Sequence, residues 1–428
     1  MSEEHLGCST PPPLTRTFGD MKGTPIGTDR RRSAAIGAPL AALAALTITA
    51  TSAGHAEAAK IHVTNTSGKG KGSFAAAIER ANREPDYDTI VFSRQLRGKI
   101  RVRRDVEIER AIAIEGRNYG SNGRLRLVGP KHGVDIEFKR SAKKRPAVED
   151  MYLERVAIAS DYADLDVRDS YLTGEGTVDE IGVYAGYGYD DAKLRMSGTT
   201  VSGFSSGVAL YRTDGSIDES VISDNEGSSG IFVGGYSGLR LSESTVSGNV
   251  AEPRETLAAS GGGIYSVYES DVAVSNSTIS GNSAVGSGSS GGGISGEVTV
   301  NESTIAANTA ETGGGIFASP YYRAQVLNSI VAGNESTDAA AGDDCAGRVN
   351  SKGGNLIEDP GTCLPLGTDL TGVDPLLGRL RDNGGPTPTR AIGRGSPAVG
   401  LAIDRTATKR DQRGIKRGRD PDAGAFER

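Results

Sequence analysis

The chain has 428 residues, 60 of them glycine, with no tryptophan, 5% aromatic residues and a net charge of −6. Over this length that charge argues for neither nucleic acid nor an anionic membrane as a partner. So few large side chains also exclude a sandwich-type core and point to a fold built from small residues and bends.

Residues 1–29 are rich in Pro, Gly and Thr and show no periodicity. Arg30-Arg31-Arg32, an apolar stretch over 34–50 and Ala56-Glu57-Ala58 then read as the basic, hydrophobic and cleavage regions of a secretory signal, cut after Ala58. Ser33, Ala34 and Ala35 are weakly hydrophobic after the twin arginines, which favours Sec over Tat export. The stretch is alanine-dominated and interrupted by Pro39, so it suits a removable signal better than a membrane anchor. The mature product is expected to be secreted, extracellular or held at the cell envelope, monomeric, and without an integral membrane span.

Phe74, Ile78 and Ala81 recur at helical spacing behind Ser73, which predicts a short amphipathic helix over 72–82 covering one end of the fold. From there on the pattern has period two. Val272 and Val274 lead to Ile279, Val298 and Val300 to Ile305, Leu239 and Leu241 to Val246, and Leu194 and Met196 to Val201. Each is a strand with one buried face followed by a bend and a second strand. Glycine-opened strands such as Gly261-Gly-Gly-Ile264, Gly291-Gly-Gly-Ile294 and Gly313-Gly-Gly-Ile316 complete each repeat. Over 140–190 the pattern weakens. Ile158 and Leu172 are only 14 residues apart, too short for a full turn, so one of these strands is out of register or belongs to a partial turn.

Within the repeats stand Asn225, Asn249, Asn282, Asn308 and Asn334, separated by 24, 33, 26 and 26 residues. A jittering period of this size marks a coil that repeats in space while its loops vary. Strand pairs this short bury their apolar faces only by stacking turn on turn, which aligns identical residues in columns and predicts an asparagine ladder. The fold class expected is all-β, a parallel β-helix with an N-terminal capping helix and an irregular C-terminal cap. Its parts are a leader (1–58), an N-terminal cap with the first coils (59–139), repeats (140–340) and a C-terminal coil and cap (341–428). The last three form one continuous solenoid.

Cys345 and Cys363 remain after loss of Cys8 with the leader. In an exported chain this pair is most simply a disulfide worth about 3 kcal/mol, since two thiolates without a nearby His make half a zinc site. Terminal strands near Ile403 and over 423–426 are expected to close the stack. Basic runs over 94–110 and 405–419 read as solvated charge that blocks end-to-end pairing.

The Gly-Gly-Gly-Ile and (Ser/Ala)-(Gly/Ala)-Asn signatures resemble the repeats of polymorphic outer membrane proteins and, more broadly, of the right-handed parallel β-helix superfamily, which implies a right-handed parallel β-helix here. The tail (Asp374-Pro-Leu-Leu-Gly378, 382–389, Gly395-Ser-Pro-Ala398, Asp411-Gln-Arg-Gly414, 422–427) resembles the choice-of-anchor Q class of secreted bacterial proteins. The start of the fold, with Val63-Thr-Asn-Thr66 and Asp88-Thr-Ile-Val-Phe92, is similar to that class too. Arg390 stands where the resemblance implies His.

One cluster is suited to catalysis. Asp164 and Asp166 alternate with Leu165 and Val167, and Lys193 and Arg195 with Leu194 and Met196. All four polar side chains are therefore expected to point outward from neighbouring strands. Carboxylates beside Lys or Arg suit a lyase in which calcium holds a uronate and the basic group removes a proton; Asp190 and Asp191 add ligands. The competing reading is a cross-strand salt-bridge ladder. Tyr184, Tyr187 and Tyr189 either stack on sugar rings or fill an irregular turn, and His62 and His132 lack a nucleophile motif nearby. Two functions follow: a non-catalytic surface scaffold or adhesin-like module binding glycans or envelope components without a cofactor, or a polysaccharide lyase or hydrolase acting on acidic glycans, with calcium. The first is favoured, because beyond the cluster the outward column turns mixed (Arg240, Ala273, Thr299, Gln325).

Overall fold

The computed structural model describes residues 59–428 except 84–86, 110–111, 117–124, 140–144, 163, 177–179, 187–192, 255–256 and 339–341. The leader, with the cleavage site after Ala58, lies outside the described residues, as do Tyr187, Tyr189, Asp190 and Asp191.

The described strands form a parallel β-helix of about ten turns. Two twelve-stranded sheets (A and B) and one ten-stranded sheet (C) run its length, with a five-stranded ribbon between B and C. One turn runs from Asp271–Ser275 in sheet A through Thr278–Ser280 in B and Ser283–Ala284 in the ribbon to Ile294–Ser295 in C. Each strand pairs in parallel with its copies one turn away, Ile279 with Val246 on one side and Ile305 on the other. Neighbouring strands lie about 4.8 Å apart. The alternating aliphatics fill a single bore from Ile61 to Ile357.

The helix spans Phe74–Arg83 and buries Phe74, Ala77, Ile78 and Ala81, while the Ala76 amide donates to Ser73 Oγ at 3.2 Å. It covers the N-terminal end of the bore as expected.

The turn around 158–172 resolves the short spacing. Ile158 lies in sheet C (Ala157–Asp161) and Leu172 in sheet B (Tyr171–Thr173). Leu172 pairs with Leu153, so the column in sheet B runs Leu153, Leu172, Val201 and Ile222.

Two polar ladders hold the corners. After sheet B, the amide of each asparagine donates to the next: Asn225 Nδ2 to Asn249 Oδ1 at 2.8 Å, then 2.8, 2.9 and 2.9 Å down to Asn334. The same Nδ2 atoms also reach a strand carbonyl, as in Asn282 to Val246 O at 3.0 Å. The series ends on Asp344, whose Oδ1 accepts from Asn334 Nδ2 at 2.8 Å. Before sheet B, serines do similar work. The Ser244 amide donates to Ser277 Oγ at 3.2 Å, while Ser277 Oγ donates to Ser275 O at 2.7 Å. Both ladders satisfy buried backbone groups where the chain leaves a sheet.

The tail departs from the sequence reading. Residues 403 and 423–426 form no strands, although a three-residue helix spans Asp404–Thr406. Beyond Leu370–Thr371 the chain turns back and runs along the flank of sheet B. There Ile392, Ala398 and Ala423 pack on Ile330, Ala332 and Leu356. Gln412 spans two turns, donating to Thr245 Oγ1 at 3.0 Å and accepting from Thr278 Oγ1 at 2.6 Å. Arg417 is buried rather than solvated, because Glu302 and Asn276 face it from the corner between sheets A and B. Cys345 and Cys363 form a disulfide with Cα atoms 5.5 Å apart, tying the last strand of sheet C to the segment between Leu356–Ile357 and Leu370–Thr371.

Candidate functional site

The candidate cluster lies on the outer face of sheet A. Leu165–Arg168 pairs with Lys193–Ser197 so that Asp166 stands opposite Arg195, while Leu165, Val167, Leu194 and Met196 enter the bore. The expected outward direction is correct for this register. Both acids are engaged by basic residues, as a salt-bridge ladder requires.

Asp166 is buried beneath guanidinium groups: Arg195 Nη1 is 3.4 Å from its Oδ1, and Arg168 Nη2 binds its Oδ2. Asp164 Oδ2 receives Arg145 Nε at 2.7 Å, with Arg195 Nη1 at 3.9 Å, and its Oδ1 accepts the Lys193 amide at 2.8 Å. Lys193 itself lies opposite Asp214 of the next strand and its side chain is exposed. The structure thus brings Asp164, Asp166 and Arg195 together and adds Arg145 and Arg168, which the sequence reading missed. Arg168 sits two residues along the same strand from Asp166, a same-face spacing that was visible in the sequence.

This arrangement does not fit a calcium ion. Three guanidinium groups occupy the carboxylate oxygens that a divalent cation would need, and they bring positive charge to the same place. Among the described residues no group of three or more His, Cys, Asp and Glu is placed to hold a metal. His62 and His132 are both exposed, and Arg390 Nε donates to Gly378 O at 3.0 Å between the antiparallel tail strands Leu377–Arg381 and Thr389–Ile392, where burial lowers its pKa.

A second polar cluster went unnoticed in the sequence. On sheet B, Glu154 is held by Arg155, Arg126 and Lys99 at 3.0, 3.3 and 3.4 Å. Burial pushes the Glu154 carboxyl up, but these three cations outweigh it and leave the pKa below the usual value. Beside it Arg126 lies over the Tyr152 ring, which packs on Tyr171 with centroids 4.8 Å apart. A recess of about 200 Å³ in the tail is lined by Asp404, Thr408, Lys409, Lys416 and Arg417, away from the residues singled out for catalysis.

No curated protein matches the sequence significantly. Among solved structures, the fold is similar to a pectate lyase, with 11% identity over 87% of this chain and 97% of that one and a TM-score of 0.48. It is also similar to XylC in complex with xylose (10% identity, 65% of this chain, 57% of that one, TM-score 0.36). A third similarity is to a mannuronic-acid-specific family 6 polysaccharide lyase from human gut microbiota (12%, 74% and 92%, TM-score 0.30). Residues 177–357 match the family model described as the right handed beta helix region, and the whole described solenoid has that class of fold.

Proposed function

We propose that the protein is an exported, non-catalytic β-helix module that binds glycans at a cell surface. The observation that carries this reading is the closure of the Asp164–Asp166–Arg195 cluster. Each acid is bound by at least two basic residues or backbone donors on the outer face of a sheet, and of the two candidate bases Arg195 is committed to both acids while Lys193 faces solvent beside Asp214. A proton-abstracting residue must instead meet the substrate's proton directly. Export through the signal ending at Ala58, with the mature protein at the envelope or outside the cell, belongs to the same proposal.

The test is incubation of the purified chain with acidic and neutral polysaccharides, with and without calcium, following both retention and the appearance of unsaturated or reducing-end products. Retention without products is expected. Product formation that disappears in Arg195→Ala would establish the lyase reading in its place.

A further inference from the structure

Tyrosines collect at the corner where the chain passes from sheet C to sheet A. Tyr162 follows Ala157–Asp161, Tyr211 ends Ser206–Tyr211, Tyr236 follows Ile231–Gly234, Tyr268 follows Ile264–Ser266, and Tyr321 and Tyr322 follow Ile316–Ala318. Tyr236, Tyr268 and Tyr321 are 69%, 37% and 91% exposed, which is unusual for large aromatic side chains in a protein with so few of them.

Their placement is set by backbone geometry. Tyr162, Tyr236 and Tyr268 have φ of 61°, 68° and 57°, so each sits at a left-handed corner, and the Tyr236 amide donates to Tyr268 O at 2.9 Å across adjacent turns. The intervening turn at Gly296 carries no ring, and Tyr322 reaches past it so that its Oη accepts from the Tyr268 amide at 3.4 Å. Behind the corner, Phe232, Tyr265 and Tyr211 pack with Val267 on the outer face of sheet C. The exposed rings therefore rest on a firm base.

We propose that this tyrosine-bearing corner binds a neutral polysaccharide laid along the axis of the solenoid. The inference rests on the glycan-binding reading above and names its surface and ligand class. Successive turns rise about 4.8 Å, close to the length of one pyranose unit, so rings on neighbouring turns meet successive sugars through their C–H faces. Ser216, Arg240, Thr299 and Gln325, outward on the adjoining strands of sheet A, supply hydrogen-bonding groups for hydroxyls. Charge selects the class. Asp214, Glu269 and Asp271 are exposed beside the rings and Glu297 is half-buried, against Arg240 alone within the row and Arg212 and Arg323 at its ends, so acid outnumbers base along its middle. A uronate laid across the middle of the row would meet these carboxylates; a neutral sugar would not.

Affinity electrophoresis of the full chain in gels containing galactomannan, xyloglucan, mixed-linkage glucan or polygalacturonate tests this. The variant Tyr236→Asn/Tyr268→Asn removes both rings while keeping residues that tolerate the left-handed backbone, and Tyr236→Phe/Tyr268→Phe keeps the rings. Retardation by at least one neutral polysaccharide is expected, weakened about tenfold in the Asn variant and nearly unchanged in the Phe variant. Retardation that survives loss of the rings, or that polygalacturonate alone produces, overturns the assignment of this corner while leaving glycan binding intact. Dimerisation abolished by the Asn variant would make the corner a self-association surface instead. No retardation in any gel overturns both proposals, and release of products overturns the non-catalytic reading.

Discussion

Arg417 Nε lies 3.6 Å from Glu302 Oε1, with the two side chains 2% and 0% exposed, joining the C-terminal tail to a corner of the solenoid. Arg417 also donates to Asn276 Oδ1 at 2.9 Å and to the carbonyls of Asp422 and Gly424 at 3.0 and 2.9 Å. Glu302 accepts the Thr408 amide at 2.8 Å. The tail is thus fastened through charge taken out of water.

Removing one partner strands the other. Arg417 Nη1 also lies 3.3 Å from the buried Glu427 carboxylate. Arg417→Met, which strands both acids, is therefore expected to cost about 3–5 kcal/mol, whereas the joint change Glu302→Gln/Arg417→Met/Glu427→Gln should cost less. Urea unfolding measures both. Limited proteolysis of the single variant should cut within 374–428 before it cuts the coils.

The corner residue before each ladder asparagine is left-handed: Asp224, Gly248, Gly281, Ala307 and Gly333 have φ between 54° and 70°. Ala307 bears this conformation without the relief glycine enjoys. Ala307→Gly is expected to raise stability by about 1 kcal/mol, seen as a higher denaturant midpoint at unchanged slope.

Asp344 ends the asparagine ladder as a buried acid. Burial pushes its pKa up from 3.8 to about 7, against the opposing hydrogen bonds from Asp359 and Asn334. The folded chain therefore holds a proton that the unfolded chain releases between these two values, so this group's contribution falls as pH rises through that window and is level above it. Asp344→Asn should flatten that slope in urea midpoints taken across the same range. It should also lower stability at the acid end, because Asp344 Oδ2 accepts the Asp359 amide at 2.8 Å and an amide nitrogen there cannot.

The repeats were legible because stacking demands the same residue at the same corner. Val246, Ile279, Ile305 and Val331 read directly as one column, and the asparagines as one ladder. Leu153 was overlooked as the partner of Leu172 because its turn lacks the asparagine phrase that marks later ones. Nothing local to Gln412 reveals that it reaches Thr245 and Thr278, since that contact depends on the tail reversing direction. At the candidate site, alternation correctly gave the face of Asp166 and Arg195. Arg145 went unrecognised as a partner because it approaches Asp164 from before a different strand. The tyrosine corner escaped notice because its residues keep no constant offset from the repeated phrase.

Every surface described above depends on which residues of successive turns lie side by side. Thr200 pairs with Val221 on the outer face of sheet B, while Ser223 is two residues further along. Paired strand neighbours are close enough for a disulfide, and a two-residue offset is not. Cysteines introduced in a Cys8→Ser chain at Thr200 and Val221, or at Thr200 and Ser223, and oxidised under mild conditions, report this directly by gel mobility. Closure of the first pair alone is the predicted result, and preferential closure of the second would contradict the register.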